Sequence, residues 1–379
     1  MTLNEIFTRR GAGADLSMLS GKRVVVGMSG GVDSSVAAYL LKQAGCEVIA
    51  LFMNNWKEDD GDGECTSASD WQDVIAVSGK LGIKYYSVDF SDKYMKDVFE
   101  VFLEEYRKGR TPNPDVLCNR EIKFKPFTHY AKMLGADYVA TGHYCGIVHE
   151  EDGARLLCAK DAAKDQTYFL NGVPTGGFEN VIFPLANLNK SEVRAIAERE
   201  GLVTAKKKDS TGVCFIGERN FKKFLQGYLP SVGGEIRDLS GKVLGRHDGL
   251  MYYTLGQRRG LGIGGVKGES DSRWYVVRKD LKENVLYVSC GEGEELFSSV
   301  IETGELNVIG AFDFPKDGLR CKVKLRYRQP AADAVAHLRP DNTLRIVFDE
   351  RQRAAVEGQY AVVYVGDRCL GGATIESSE

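Results

Sequence analysis

The stretch Gly27-Met28-Ser29-Gly30-Gly31-Val32-Asp33-Ser34-Ser35 concentrates the groups that could hold a polyanion. Glycines let the main chain approach a phosphate closely, and serine hydroxyls add short donors. Its spacing excludes two better-known phosphate loops. No Gly-Lys-Ser/Thr follows at the distance of the kinase-type loop, and Ser29-Gly30-Gly31 lacks the glycine spacing of the dinucleotide fingerprint. Two thiols form the second chemical feature. Cys118 lies in Thr111-Pro112-Asn113-Pro114-Asp115-Val116-Leu117-Cys118-Asn119, a segment that its two prolines are expected to keep out of helix and strand. Cys214 lies in Lys206-Lys207-Lys208-Asp209-Ser210-Thr211-Gly212-Val213-Cys214, a basic, glycine-punctuated loop. Cationic neighbours lower a thiol pKa, and the thiolate is the nucleophile. Cys46, Cys145, Cys158, Cys290, Cys321 and Cys369 sit in or beside apolar strand-like runs and read as small core residues. Cys65 ends a polar loop.

These groups need a scaffold. Arg23-Val24-Val25-Val26 is short, apolar and β-branched, so it reads as a buried strand, and the helix-forming run from Ser34 ends at Gly45. Strand, glycine turn and helix aim free N–H groups and a helix dipole at an anion. Further strands are expected at Glu47–Met53, Lys84–Phe90 and Asp137–Thr141, and helices at 69–80, 92–108, 191–200 and 221–228. Strands alternating with helices imply a parallel, doubly wound sheet with ligands at the carboxyl ends of the strands. From Gly233 onward glycine turns and short strands dominate, and from about Val300 the chain is nearly all strand, as in a small β-barrel. The expected divisions are an extension at 1–20, an α/β catalytic domain at 21–220, a central domain at 221–290 and a β-barrel at 291–379.

Composition narrows the class. The net charge of −3 excludes a globally basic nucleic-acid binder, so any polyanion must meet local patches. Nine scattered cysteines with no Cys-x-x-Cys argue for a reducing cytoplasm and against a disulfide scaffold or a structural zinc site. No apolar run has the length of a membrane span, and the mixed first twenty residues do not read as a secretion signal. One local patch stands out. Arg320, Lys322, Lys324, Arg326 and Arg328 alternate with Cys321, Val323, Leu325 and Tyr327, which in one strand puts five cations on a face. Their spacing of roughly 6.6 Å is close to that of backbone phosphates, favouring RNA. Arg258 and Arg259, between Gly256 and Gly260, read as a clamp between domains or as a solvated turn.

The Ser29–Ser35 loop resembles the pyrophosphatase (PP-loop) motif of enzymes that cut ATP between the α- and β-phosphates and adenylate a substrate oxygen. With the blocks Phe52-Met53, Thr111–Phe124, Ala140–Tyr144, Lys164-Asp165-Gln166, Thr204–Glu218, Gly249–Gly265 and Arg326–Gln329, the chain resembles the bacterial tRNA-specific 2-thiouridylase family from about Lys22 almost to its end. The resemblance implies a Rossmann-like (adenine nucleotide alpha hydrolase-like) domain, and thiolation of the anticodon wobble uridine of Lys-, Glu- and Gln-type tRNAs in the cytoplasm. ATP would be bound by Gly27, Met28, Ser29, Gly30, Gly31, Val32, Asp33, Ser34, Met53 and Gly142, with Asp33 near Mg²⁺ or the leaving pyrophosphate. Cys214 would take sulfur as a persulfide from a sulfur-carrier protein. Cys118 would attack that persulfide to free sulfide, or close a transient disulfide with Cys214. Asp115 would handle a proton. Asn113, Pro114 and Asp115 would line the base pocket, and His143, Lys164, Asp165, Gln166, Arg326, Tyr327 and Gln359 would contact tRNA. Strand alternation alone points Tyr327 toward the core. The alternative is a PP-loop amidotransferase or synthetase acting on a small substrate, chemistry that has no need of the two cysteines.

Overall fold

The structure, a computed structural model, describes residues 15–56, 66–209, 221–263 and 273–379. Cys65 and Cys214 lie outside the described residues. Five parallel strands form the first sheet: β1 (Arg23–Met28), β2 (Glu47–Asn54), β3 (Lys84–Asp89), β4 (Tyr138–Thr141) and β7 (Val181–Ile182), in the order β3-β2-β1-β4-β7. The sheet carries helices on both faces, as the strand–helix alternation requires. Helix α1 (Val32–Gln43) follows β1 directly and is buried from Val36 through Leu41, packed beneath α7 (Lys190–Arg199). Gly45, at φ +83°, takes the left-handed position just past its C-cap. Helix α2 (Thr66–Leu81) follows β2, and residues 91–107 form α3, with a π turn at Met95–Phe99.

One local expectation fails. Pro114–Cys118 is a helix, α4, which continues as a π turn over Asn119–Lys123. Pro114 occupies the first helical position, where its missing N–H costs nothing, and the Asn113 side chain accepts from Val116 N. Pro114 thus starts a helix instead of forbidding one. Helix α5 (Pro126–Met133) packs Phe127 beneath β1, close enough that a Cβ on Gly27 would stand 3.2 Å from its ring.

The second sheet, β10-β11-β8-β9, is built from β8 (Gly234–Asp238), β9 (Val243–His247), β10 (Trp274–Asp280) and β11 (Val285–Cys290). Six strands then close a barrel in the order β12-β16-β15-β14-β17-β18: β12 (Phe297–Glu305), β14 (Leu319–Lys324), β15 (Ala332–Leu338), β16 (Thr343–Arg353), β17 (Tyr360–Val365) and β18 (Arg368–Ser378). Pairing of β12 with β18 shuts it, and β13 (Asn307–Val308) adds to β18. The barrel sheet also recruits a hairpin from the first domain. Strands β5 (Gly146–Glu150) and β6 (Gly153–Leu157) extend it, with Leu156 opposite Cys369 and Leu157 opposite Arg368. Cys46, Cys145, Cys321 and Cys369 are buried and Cys158 half-buried, whereas Cys290 is exposed because it ends β11. No described helix is long and apolar enough to cross a membrane.

Candidate active site

The anion loop lies where β1 ends, with Met28 paired to Phe52 and Gly27 to Thr141 on either side. The serines tie it to the first turn of α1. Ser34 Oγ accepts from Ser29 N at 3.2 Å and donates to the Gly31 carbonyl at 3.1 Å; Ser35 Oγ donates to the same carbonyl at 2.8 Å. Gly30 sits at φ +73°, and a Cβ there would come within 2.6 Å of the Asp70 carbonyl on α2. Gly142, just past β4, is as confined: a Cβ would stand 2.7 Å from Ser34 N. Both glycines are required by close backbone approach. Met28 and Val32 are buried beneath the loop, and Met53 is half-buried at the neighbouring end of β2.

A ring of paired charges surrounds the loop. Asp33 accepts Lys190 Nζ at 2.7 Å on both oxygens and the Tyr144 hydroxyl at 2.8 Å. Burial and the Asp33 charge push the Tyr144 phenol far up, so it stays a donor. Asp209 accepts Lys190 at 2.9 Å, Lys164 at 2.8 Å and Arg194 at 2.6 Å. Against its own partial burial, Lys164 and Lys190 hold the Asp209 carboxyl well below the usual range. Lys207 Nζ donates to the Gly30 carbonyl at 3.0 Å, to Asp70 at 2.6 Å and to Asp73 at 2.5 Å. Of these charged residues only Asp33 and Lys164 were expected from sequence to meet a ligand. Lys190 offered a usable signal. The Asn189–Glu192 capping box fixes it at the first position of α7, where the helix dipole disfavours a cation.

Cys118 is buried in an apolar cluster with Phe99, Phe102, Leu117, Ile122, Leu225 and Leu229, with Met53 packed against it. Leu225 belongs to α8 (Phe221–Gln226), the first element after the chain re-enters the described residues. Met53 therefore links the carboxyl end of β2 to the wall around Cys118. Asp115, one turn before Cys118, is half-buried. Desolvation raises its carboxyl pKa, opposed by the Lys123 charge. A carboxyl so shifted can give and take a proton nearer neutrality than an exposed one.

The residues carried over as tRNA contacts divide sharply. Lys164 is half-buried on Asp209. Asp165 is buried and accepts from Ala159 N at 2.7 Å and from the Thr167 hydroxyl at 2.5 Å, so it braces its own loop. Gln166 Oε1 accepts from Tyr144 N at 2.9 Å. His143 Nδ1 lies 2.7 Å from Thr141 Oγ1 between the rings of Phe124 and Phe183; burial and Lys123 hold its pKa well below 6.5, leaving the ring neutral. The stripe of five cations is corrected as well. Strand β14 ends at Lys324; Arg320 is paired with Asp349 and Lys322 with Asp333, its cross-strand neighbour on β15. Lys324 lies over the Tyr364 ring, and Arg326 turns inward to the carbonyls of Leu255 and Ala354, both at 3.1 Å. Tyr327 lies in the turn past the end of β14 and packs its ring, tilted, against Phe169 with centroids 4.4 Å apart. At the Gly256–Gly260 loop the contact is made by glycine: Arg353 donates to the Gly256 carbonyl, and Arg258 and Arg259 are exposed.

Three family models match in succession: a tRNA methyl transferase HUP domain over 22–218, a tRNA methyl transferase PRC-barrel domain over 222–290, and an aminomethyltransferase beta-barrel domain over 301–375. The tRNA-specific 2-thiouridylase MnmA of Listeria monocytogenes serotype 4b (strain CLIP80459) is 54% identical over 356 residues, covering 94% of this chain and 95% of that protein. The protein of the same name from Staphylococcus carnosus (strain TM300) is 53% identical over 356 residues, covering 93% and 95%.

Proposed function

We propose, because this chain belongs to the tRNA-specific 2-thiouridylase family, that it replaces the 2-oxygen of a tRNA wobble uridine with sulfur after activating that oxygen with ATP. A uracil oxygen leaves poorly. The oxygen attacks the α-phosphorus, the α–β phosphoanhydride bond breaks, and pyrophosphate departs from the Ser29–Ser34 loop, whose N–H groups and helix dipole face the charge. The terminal sulfur of a Cys214 persulfide, delivered by a sulfur-carrier protein, then attacks C2, and AMP leaves with the former 2-oxygen. Cys118 takes the inner sulfur of Cys214 as a disulfide that a thiol reductant reopens, or else frees sulfide from the persulfide to attack in its place. Asn113, Pro114 and Asp115 border the pocket of an extruded base, with Asp115 as proton carrier.

Among the described residues no group of three or more metal-ligating side chains is present. Mg²⁺ takes one or two carboxylates and otherwise phosphate and water. Asp33 would be the protein ligand, and the ion would neutralise charge on the phosphates. Lys-, Glu- and Gln-type tRNAs in the cytoplasm are the proposed setting.

The observation that carries this reading is a pair of anchors. The chain leaves the loop network at Asp209, bound to Lys190 and Lys164, and returns at Phe221, whose ring meets Phe102 and Tyr106 of the cluster around Cys118. Cys214 belongs to the eleven residues between them. Incubation with ATP, Mg²⁺, sulfide and unmodified tRNA, followed by nucleoside analysis, should yield 2-thiouridine, AMP and pyrophosphate. Pyrophosphate release that needs a small acid and an amine but no tRNA would overturn it.

A further inference from the structure

We infer that Lys190 is a phosphate-binding residue of this site, held on Asp33 and Asp209 until a pyrophosphate-bearing nucleotide arrives and takes it. This rests on the ATP-dependent reading above and deepens it. Lys190 stands at the first turn of α7, facing the first turn of α1 across the anion loop. Its side chain is only 12% exposed, and its ammonium is shared by two carboxylates, Asp33 at 2.7 Å and Asp209 at 2.9 Å, beside the Tyr144 ring.

Charge balance is what points to a ligand. The carboxylates Asp33, Asp70, Asp73 and Asp209 are paired with Lys164, Lys190, Arg194 and Lys207, four against four. Among the described residues, each of these four cations is already held on a carboxylate, and Asp33, in the first helical turn beside the anion loop, repels a polyphosphate. A cation reaches the phosphates from this set when a lysine exchanges its carboxylate for phosphate.

Lys190 can make that exchange without stranding either carboxylate. Asp209 keeps Lys164 and Arg194, and Asp33 keeps the Tyr144 hydroxyl. Lys207 is less able to leave, since it also holds the Gly30 carbonyl and two carboxylates of α2. When Lys190 turns to the phosphates, the Asp33 carboxylate becomes available to the accompanying cation.

Isothermal titration of the full chain with inorganic pyrophosphate, ATP and adenosine, each with and without Mg²⁺, tests the inference. In Lys190→Met, pyrophosphate and ATP should bind about 10- to 100-fold more weakly, the scale of one lost charge-assisted bond, with adenosine binding retained. Should that variant not fold, Asp33→Asn is compared with Asp33→Asn/Lys190→Met, which leaves no unpaired Asp33 charge; the same loss between the two is expected. Equal pyrophosphate and ATP affinity with and without Lys190 overturns this inference alone. Failure of the unaltered protein to bind either phosphate ligand overturns both this inference and the function on which it rests.

Discussion

The Gln359 side-chain amide, on the turn that leads into β17 of the barrel, donates to the Thr111 carbonyl at 2.7 Å and reaches the Pro112 carbonyl at 3.4 Å. The barrel thereby holds the two residues that lead into the Asn113-capped helix ending at Cys118. Thr111 N donates in turn to the Glu357 carbonyl at 2.9 Å. The donor that could meet RNA is already engaged inside the protein. Gln359→Ala should cost about 1 kcal/mol of stability, one net hydrogen bond. It should slow single-turnover thiolation about tenfold or more, because small displacements of reacting groups are expensive. Affinity for tRNA should shift by less than about threefold, under ~0.7 kcal/mol. Filter binding beside rapid-quench assays separates the two, and a loss confined to tRNA binding would return Gln359 to the RNA interface.

A second tie to the same segment depends on pH. Lys279 on β10 donates to the Gly109 carbonyl at 2.8 Å, and burial, only partly offset by Glu357, lowers its pKa from 10.5 to about 8. Between about pH 8 and 10.5 the unfolded chain therefore binds more protons at this position than the folded one. Stability on this account is lost as pH falls through that window and regained as pH rises. The full effect is ~3 kcal/mol at about 1.4 kcal/mol per pKa unit. Chemical unfolding at pH 7.5 and 10 should show Lys279→Met more stable than wild type at the lower pH, with the gap closing at the higher. A constant gap would assign Lys279 no titrating role.

Gly142 and Ser34 touch through backbone, so Gly142→Ala cannot be absorbed by a rotamer change. A Cβ there would stand 2.7 Å from Ser34 N and 2.9 Å from the Asp33 carbonyl carbon. The loop must shift away from β4. Thermal stability should fall by about 1–3 kcal/mol, as overpacking does, and ATP affinity should fall with it. Unchanged ATP binding would mean that the loop adjusts without losing its shape.

Legibility from sequence followed the length scale of each interaction. The strand–loop–helix unit at β1 and α1 is local, carried by β-branched runs and glycines, and it stands as read. The Pro114 helix was misread because proline forbids a helix interior and favours a helix start, and only the Asn113 cap distinguishes the two. Lys190, Lys207 and Asp70 were invisible as a group because their partners lie 134 to 177 residues away in some pairs, and no spacing rule spans that. The basic strand misled because alternation reports which face a residue occupies but not what the neighbouring strand offers; β15 offers Asp333. The hairpin that extends the barrel has no counterpart in the sequence reading, since sequence order does not say where an exposed strand edge finds its partner.

The raised carboxyl of Asp115 predicts a pH signature separate from loss of function. Its folded pKa lies above the unfolded value of 3.8, so the stability associated with the protonated form is complete below 3.8 and is lost as pH rises through the folded pKa. Asp115→Asn removes that loss. The variant should be at least as stable as wild type at pH 7, while thiolation falls about 10²–10⁴-fold, the contribution of a positioned acid–base group. Thermal scans at pH 4 and 7 beside nucleoside analysis check both halves; a destabilised Asp115→Asn with full activity would place the residue in structure alone.

The two-thiol scheme makes the most exacting demand. Cys118 is buried against Leu225 and Leu229, so Cys118→Ala trims a small apolar group at about 1 kcal/mol and preserves the wall better than serine would. Cys118→Ala, Cys118→Ser and Cys214→Ser should each abolish 2-thiouridine formation while ATP binding persists, because the anion loop takes its shape from Ser29, Gly30, Ser34 and Gly142. Adenylation should survive in all three: tRNA-dependent exchange of labelled pyrophosphate into ATP should continue although sulfur is not transferred. With a thiol trap, the persulfide should accumulate on Cys214 in the Cys118 variants and be missing from Cys214→Ser. Thiolation retained at more than about a hundredth of the wild-type rate in any of the three would mean that sulfur reaches the base without one of these thiols, since loss of a covalent nucleophile costs far more than that.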